Sequence, residues 1–180
     1  AGFVGSHACK TLRRNGFTPV TVDNLSRGNR TAVNWGPLEI ADLEDRIRLD
    51  QIFIRYKPLA VMHFAALAYV GESNTAPLSY YRNNVAGTLT LLDAALAAGC
   101  RRLVFSSSCA TYGVPTQSLL GEDHPQCPIN PYGRTKLICE QMMADADTAH
   151  GLKYVPLRYF NAAGSDPDCE IGEMHDPETH

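Results

Sequence analysis

Hydrophobic positions along the chain fall into two alternating patterns. Some stretches space them three or four residues apart, as one face of a helix requires, and others gather them into short apolar or β-branched runs. Residues 6–14 show the helical spacing and stop at Asn15-Gly16. Residues 18–22 follow as a short strand that ends at Asp23, and residues 38–40 read as another. Residues 42–56 predict a charged amphipathic helix halted before Pro58. Ala60-Val61-Met62-His63-Phe64 is a compact apolar strand of the kind buried on both faces. Residues 79–98 predict a long helix with Val85, Leu89, Leu92 and Leu96 at i, i+4, i+7 and i+11, ended by Gly99. A strand at 102–106, a helix at 132–150 and a strand at 152–159 complete the series.

Strands that alternate with helices predict an α/β fold, a doubly wound parallel sheet with crossover helices. No internal repeat, low-complexity tract or Pro/Ser-rich linker divides it. The predicted strands end at Asp23, Phe64, Ser106 and Tyr159. In open parallel sheets ligands bind beyond those ends, and the chemically suggestive residues of this chain lie there or just after.

Composition narrows the picture. With 180 residues, 44% of them hydrophobic, the chain is long enough to bury a core. A net charge of −3 offers no basic field, so no nucleic-acid partner is expected. No apolar run approaches a membrane span and no basic-then-apolar leader opens the chain, so no membrane association is expected. The six cysteines contain no C-x-x-C pair, which argues against a disulfide framework or a metal site and fits reduced thiols in a cytoplasmic protein. The first residues, Ala1-Gly2-Phe3-Val4-Gly5, already read as a turn, and the last ones as a polar loop. The expectation is an internal fragment that lacks its first strand.

Gly2-Phe3-Val4-Gly5 before a helix matches the end of a glycine-rich phosphate loop, where backbone N–H groups approach a pyrophosphate closely. Alone it is better read as an ordinary turn. Asp23, at the end of the next strand, adds weight: an acid there accepts hydrogen bonds from an adenosine ribose and repels a 2′-phosphate, favouring NAD over NADP. Arg27 nearby tempers that preference.

Tyr132-Gly133-Arg134-Thr135-Lys136 sets a phenol and an ammonium four residues apart on one helix face. Pro128 and Pro131 frame the entry to that helix, and Ser106-Ser107-Ser108 closes a strand where a hydroxyl can reach a substrate oxygen. A free phenol, with a pKa of about 10, is a poor base at neutral pH. A nearby ammonium together with a positive nicotinamide ring favours the phenolate, which makes Tyr132 a candidate general base for a sugar hydroxyl, with Lys136 supporting it and Ser108 orienting the reacting oxygen.

These motifs, with His63-Phe64-Ala65-Ala66, Tyr80-Tyr81-Arg82-Asn83-Asn84-Val85 and Arg158-Tyr159-Phe160-Asn161, make the chain resemble the extended short-chain dehydrogenase/reductase family, and within it the UDP-glucose 4-epimerases. The resemblance implies a Rossmann-type sheet, with residues 1–161 as the NAD-binding domain and residues 162–180 as the start of a truncated substrate-binding region. It implies that Gly2 and Gly5 approach the pyrophosphate, Asp23 and Asn24 bind the adenosine ribose, and Asp42 and Leu43 the adenine. Phe64 and Ala65 would line the cofactor channel, Asn83 would touch the cofactor, and Tyr159 would sit near the nicotinamide amide. Ser108, Tyr132 and Lys136 would be catalytic, Tyr132 and Lys136 also contacting the cofactor, with Ser108, Tyr132 and Asn161 on the UDP-sugar. The implied reaction is epimerisation at C4 of UDP-glucose or UDP-galactose through a 4-keto intermediate, in galactose metabolism, by a homodimer. Some family members carry a lysine where this chain has Ala68. Without a first strand and a complete substrate domain, the fragment alone is expected to be inactive.

Rival readings remain. A sugar-nucleotide 4,6-dehydratase places an Asp-Glu pair after the strand-end hydroxyl, whereas here Ser108 is followed by Cys109-Ala110. The stretch from Ser108 to Gly113 also resembles UDP-arabinose 4-epimerases, so a UDP-pentose or N-acetylated sugar stays open. So does a catalytically silent NAD-binding protein, although an intact Ser108, Tyr132 and Lys136 argue against it. His63 is expected to be a satisfied core histidine, Cys109 a buried small residue, and the stripe from Val85 to Leu96 core at least in part. Glu173, His175, Asp176, Glu178 and His180 match no ligand spacing and are expected to be a solvated loop with no metal.

Overall fold

The computed structural model describes residues 1–174 and divides them into two units. The first holds Ala1–Asp42 and the segment from Asn161 onward. Its helix α1 (Phe3–Arg14) begins earlier than the hydrophobic spacing indicates, because Gly2 takes the N-cap and the carbonyl of Gly2 already accepts the Ser6 N–H at 2.9 Å. Gly16 follows the helix with φ +83°, a left-handed turn that glycine adopts without strain. Strands β1 (Thr21–Asp23) and β2 (Leu38–Ile40) run parallel, with Thr21 opposite Leu38 and Asp23 opposite Ile40. Lys10 of α1 is buried, and its ammonium meets Asp166 at 2.6 Å, Asp168 at 2.7 Å and Glu170 at 2.8 Å. Those three carboxylates lie close enough to suggest a cation site, and Lys10 supplies the positive charge among them. Burial alone would push that ammonium down; the carboxylates hold it above its ordinary value. Of the polar loop read from Glu173 to His180, His175, Asp176, Glu178 and His180 lie outside the described residues.

The second unit, Leu43–Phe160, contains α2 (Arg46–Tyr56), β3 (Val61–His63), α3 (Val70–Thr75), α4 (Pro77–Tyr80), α5 (Gly87–Ala97), β4 (Arg102–Ser106), α6 (Pro131–His150) and β5 (Lys153–Leu157). Its strands form a parallel sheet in the order β3-β4-β5, with His63 opposite Phe105 and Ser106 opposite Leu157. Leu103 and Phe105 of β4 pack with Leu92 of α5, Cys139, Met143 and Ala146 of α6, and Leu152. Removing each large apolar side chain from water contributes about 1.5–3 kcal/mol, so this strand and its two flanking helices anchor the unit. Parallel strands connected by helices make the fold Rossmann-like, as the alternation of patterns predicts.

The differences from the sequence reading have local causes. Helix α2 starts at Arg46 because the Asp45 carboxylate caps it, accepting the Arg48 N–H at 3.0 Å. The long helix expected at 79–98 is α4 and α5 joined by a wide π turn, Tyr81–Ala86. In its stripe Leu92 is buried and Val85 and Leu96 pack against the core, whereas Leu89 is 50% exposed. Helix α3 has no apolar period to announce it; the Tyr80 hydroxyl ties it down from a position 2.7 Å from the Tyr69 carbonyl oxygen and 2.9 Å from a Glu72 carboxylate oxygen, sharing its one proton between them.

Candidate active site

Strand β4 delivers Ser106, Ser107 and Ser108 in sequence at its C-terminal end. Ser108 caps a short 3₁₀ turn, Cys109–Thr111, and its Oγ accepts the Ala110 N–H at 3.1 Å, which holds the hydroxyl in place. Helix α6 begins beside this turn. Asn130 caps it, its Oδ1 accepting the Gly133 N–H at 2.8 Å, and Pro131 takes the first helical position, where its missing N–H does no harm. Gly133 sets the distance of approach: a Cβ there would stand 2.4 Å from the Ala110 carbonyl oxygen and 3.0 Å from the Pro128 side chain. Only glycine allows α6 so near the Ser108 turn. Tyr132 is thereby buried with its phenol facing Ser108 and Tyr159, and the Tyr80 ring meets it edge-on with centroids 6.5 Å apart.

One turn on, Lys136 is buried and donates from Nζ to the Ser106 carbonyl at 2.7 Å. Its ammonium lies 4.8 Å from the centroid of the Phe105 ring and 5.8 Å from that of Tyr132. Burial lowers it to about 8, opposed by Cys139 and by the negative charge of Glu140. Burial also raises the Tyr132 phenol above its ordinary value, while the Ser108 hydroxyl pulls the other way. The chain by itself therefore does not favour the phenolate that the residue spacing suggests. The Lys136 ammonium is engaged with the Ser106 carbonyl, and burial dominates at Tyr132.

The strand end is held from behind by a network in which Glu140, Gln126 and Tyr112 were not singled out by the sequence pattern. Ser106 Oγ closes on the Tyr159 hydroxyl, and Ser107 Oγ donates to Glu140. Glu140, buried on α6, takes Arg158 Nη2 at 2.7 Å and Nε at 3.0 Å, with Gln126 Nε2 at 3.1 Å. Arg158 Nη1 reaches on to the Tyr112 hydroxyl at 3.1 Å and the Glu122 carbonyl at 2.9 Å. Burial pushes Glu140 up, but its hydrogen bonds from Arg158, Ser107 and Gln126 outweigh that and hold the carboxyl below its ordinary value. A signal existed: Glu140 stands at i+4 from Lys136, an acid on a helix face otherwise turned inward.

His63 is the satisfied core histidine expected, buried with Nε2 at 2.8 Å from Thr88 Oγ1. Cys109 is half-buried rather than buried, because Thr111 and Tyr112 carry the inward side of its turn. Phe64 (half-buried) and Ala65 (exposed) follow β3, and Asn83 donates from Nδ2 to Asn84 Oδ1 at 2.9 Å. Leu43 packs against Gly87 of α5, where an added Cβ would meet it at 2.9 Å.

In the first unit, Asp23 ends β1 and accepts the Leu25 N–H at 2.7 Å. Gly28 passes so close that a Cβ would fall 2.7 Å from the Asp23 carboxylate. Asn24 Nδ2 donates to Asp42 at 2.9 Å, while its Oδ1 accepts the Ser26 N–H at 3.0 Å. Asp23, Asn24 and Asp42 are thus gathered at one strand end. Helix α1 has no side-chain cap and no acid in its first turn, Gly5 lies within that turn, and a Cβ on Gly2 would meet nothing within 4 Å. Uncapped N–H groups, a helix dipole and open space fit the pyrophosphate of a dinucleotide. Asn161 is exposed at the start of the segment that follows the last strand.

A family model described as the NAD dependent epimerase/dehydratase family matches residues 1–175. The UDP-glucose 4-epimerase of Rhizobium leguminosarum bv. trifolii is 57% identical over 180 residues, 100% of this chain and 55% of that protein. The crystal structure of UDP-glucose 4-epimerase from Brucella ovis in complex with NAD matches with a TM-score of 0.98 and 57% identity, covering 100% of this chain and 55% of that one. A putative UDP-arabinose 4-epimerase of Arabidopsis thaliana is 45% identical over 99% of this chain and 43% of its own length. The chain spans about half the length of the relatives it matches.

Proposed function

The chain belongs to the NAD dependent epimerase/dehydratase family, and from that premise we propose that it is the NAD-binding portion of an enzyme that inverts C4 of a UDP-hexose, UDP-glucose or UDP-galactose. One observation carries this reading: Tyr132 is buried facing the Ser108 hydroxyl, one helical turn from a buried Lys136. NAD, when bound, supplies the acceptor and later the donor of a hydride. Gly2 and Gly5 would hold its pyrophosphate, Asp23 and Asn24 its adenosine ribose, Asp42 and Leu43 the adenine. Phe64, Ala65, Asn83 and Tyr159 would line the rest of its path. Ser108, oriented by the Ala110 N–H, would hold the sugar C4 oxygen, and Tyr132 would take the proton from that oxygen as C4 is oxidised to a ketone. The 4-keto sugar turns over against Asn161 and the substrate domain, and Tyr132 returns the proton as C4 is reduced on its other face. Lys136 would keep a positive charge beneath the phenol and anchor the strand end through Ser106.

In this reading residues 1–161 are the NAD-binding domain, and the following residues begin the sugar-binding region. The enzyme acts in the cytoplasm as a homodimer; among the described residues no helix is long and apolar enough to cross a membrane. A UDP-pentose substrate is the second reading, favoured by the likeness to the Arabidopsis thaliana protein. The test is Tyr132→Phe in the whole protein, assayed with UDP-galactose and UDP-arabinose. We expect turnover to drop by about 10²–10⁴-fold, the usual contribution of a positioned acid–base group, with NAD still bound. Near wild-type C4 epimerisation in this variant sinks the proposal, and the faster of the two sugars in the parent protein decides between the readings.

A further inference from the structure

Asn84 stands one residue past the asparagine marked by the family resemblance, and its surroundings set it apart. It is 2% exposed, within the π turn Tyr81–Ala86, and its carboxamide behaves as a piece of backbone. Oδ1 accepts the Leu67 N–H at 2.9 Å, and Nδ2 donates to the Leu67 carbonyl at 2.9 Å. The two bonds grip one residue on both sides, as a neighbouring strand would. The second Nδ2 proton goes to Thr135 Oγ1 at 3.1 Å, and Oδ1 also accepts from Asn83. Thr135, fully buried, donates its own hydroxyl proton to the Tyr132 carbonyl at 2.7 Å. The hydrogen-bonding capacity of the carboxamide is thus fully used. The main-chain carbonyl of Asn84 is equally engaged, taking Thr88 Oγ1 at 2.5 Å and the Cys139 thiol at 3.2 Å.

This arrangement answers a structural need. Strand β3 ends at His63, so the loop that carries Phe64 and Ala65 has left the sheet ladder and needs another partner for its backbone. Asn84 provides one at Leu67, and through Thr135 passes the constraint to the turn of α6 between Tyr132 and Lys136. We infer that Asn84 and Thr135 are positioning residues, which hold the loop bearing Phe64 and Ala65 in fixed register with the helix bearing Tyr132 and Lys136. Neither is a catalytic residue, since every polar atom of both side chains is engaged within the protein. The inference rests on the proposed roles of those four residues toward NAD.

The test uses Thr135→Val, which keeps the shape and removes the hydroxyl, and Thr135→Ser, which keeps the hydroxyl and removes a methyl. Both are made in the whole protein loaded with NAD. Melting temperature, the rate of NAD release on dilution, and kcat and KM for UDP-galactose are read for each. Thr135→Val is expected to release NAD faster and to lose kcat, each on the order of tenfold, with KM little changed, because misplacement of a reacting group acts on the chemical step. Thr135→Ser is expected to restore both. Wild-type NAD release in Thr135→Val, or equal losses in the two variants, overturns the inference and assigns Thr135 to packing alone. If Thr135→Val does not fold, Thr135→Cys offers a weaker donor in the same space; faster NAD release supports the inference and an unchanged rate overturns it. Tyr132→Phe run alongside separates the two proposals. It leaves the Thr135 tie intact, so turnover that survives there refutes the catalytic assignment while the NAD-release comparison still decides this one.

Discussion

His63 illustrates how one buried side chain links packing to pH. Its ring is buried, 5.5 Å from the Phe105 centroid and bonded to Thr88. Burial first, and the positive charge of Lys136 second, lower it to about 3. An unfolded histidine titrates at about 6.5. Between those values the unfolded chain binds a proton that the folded chain refuses, so stability rises with pH there and is lost as the pH falls. Thermal melts of the whole protein from pH 7 down to pH 5 should therefore show a falling midpoint. His63→Gln, which keeps a hydrogen-bonding group for Thr88 but cannot titrate, should flatten that fall. Parallel slopes in the two proteins would show that His63 carries no part of it.

At the scale of elements, Glu140 joins three of them: the end of β4 through Ser107, α6 on which it stands, and the end of β5 through Arg158. Removing its charge leaves Arg158 with the Tyr112 hydroxyl and the Glu122 carbonyl but without a counter-ion. Glu140→Gln should cost about 1–3 kcal/mol in urea unfolding, since the half-buried Arg158 keeps some solvent and its other two bonds. It should also lower Lys136 further, since the Glu140 charge helps to hold that ammonium up against burial. The loss of positive charge at Lys136 would then occur below about pH 8, and the Cε resonance of Lys136, followed by NMR against pH, reads it directly. An unshifted titration would refute the electrostatic link. The elements themselves were legible from pattern: β4 shows as the short apolar run Leu103-Val104-Phe105, and α6 as the segment bounded by Pro131 and Gly151. Glu140, Thr135 and Asn84 were not legible, because their partners lie far off in sequence. Ser107 is 33 residues from Glu140, and Thr135 is 51 from Asn84. Tyr132, Lys136 and Ser108 were readable only as types at a spacing. That Gly133 brings them together depends on a backbone contact with Ala110 that no spacing encodes.

For the whole molecule, the exposed apolar residues bear on the proposed homodimer. Leu89 belongs by spacing to the inward stripe of α5, yet it is 50% exposed, and Leu78 of α4 is 75% exposed. Scattered single residues of this kind need no explanation. Here, however, Leu78 stands at the start and Leu89 near the middle of one continuous helical run, α4 through α5, which the family resemblance pairs, together with α6, with its copies in a second subunit. A stable dimer buries roughly 1,200–2,000 Å² in total and prefers apolar side chains at its centre. Sedimentation of the whole protein should give twice the chain mass at micromolar concentration. Leu89→Arg would place a charge at that centre and should shift the protein toward the monomer, without altering NAD binding within each subunit. A monomeric parent protein would remove the dimer, and a dimer untouched by Leu89→Arg would move the interface to another surface.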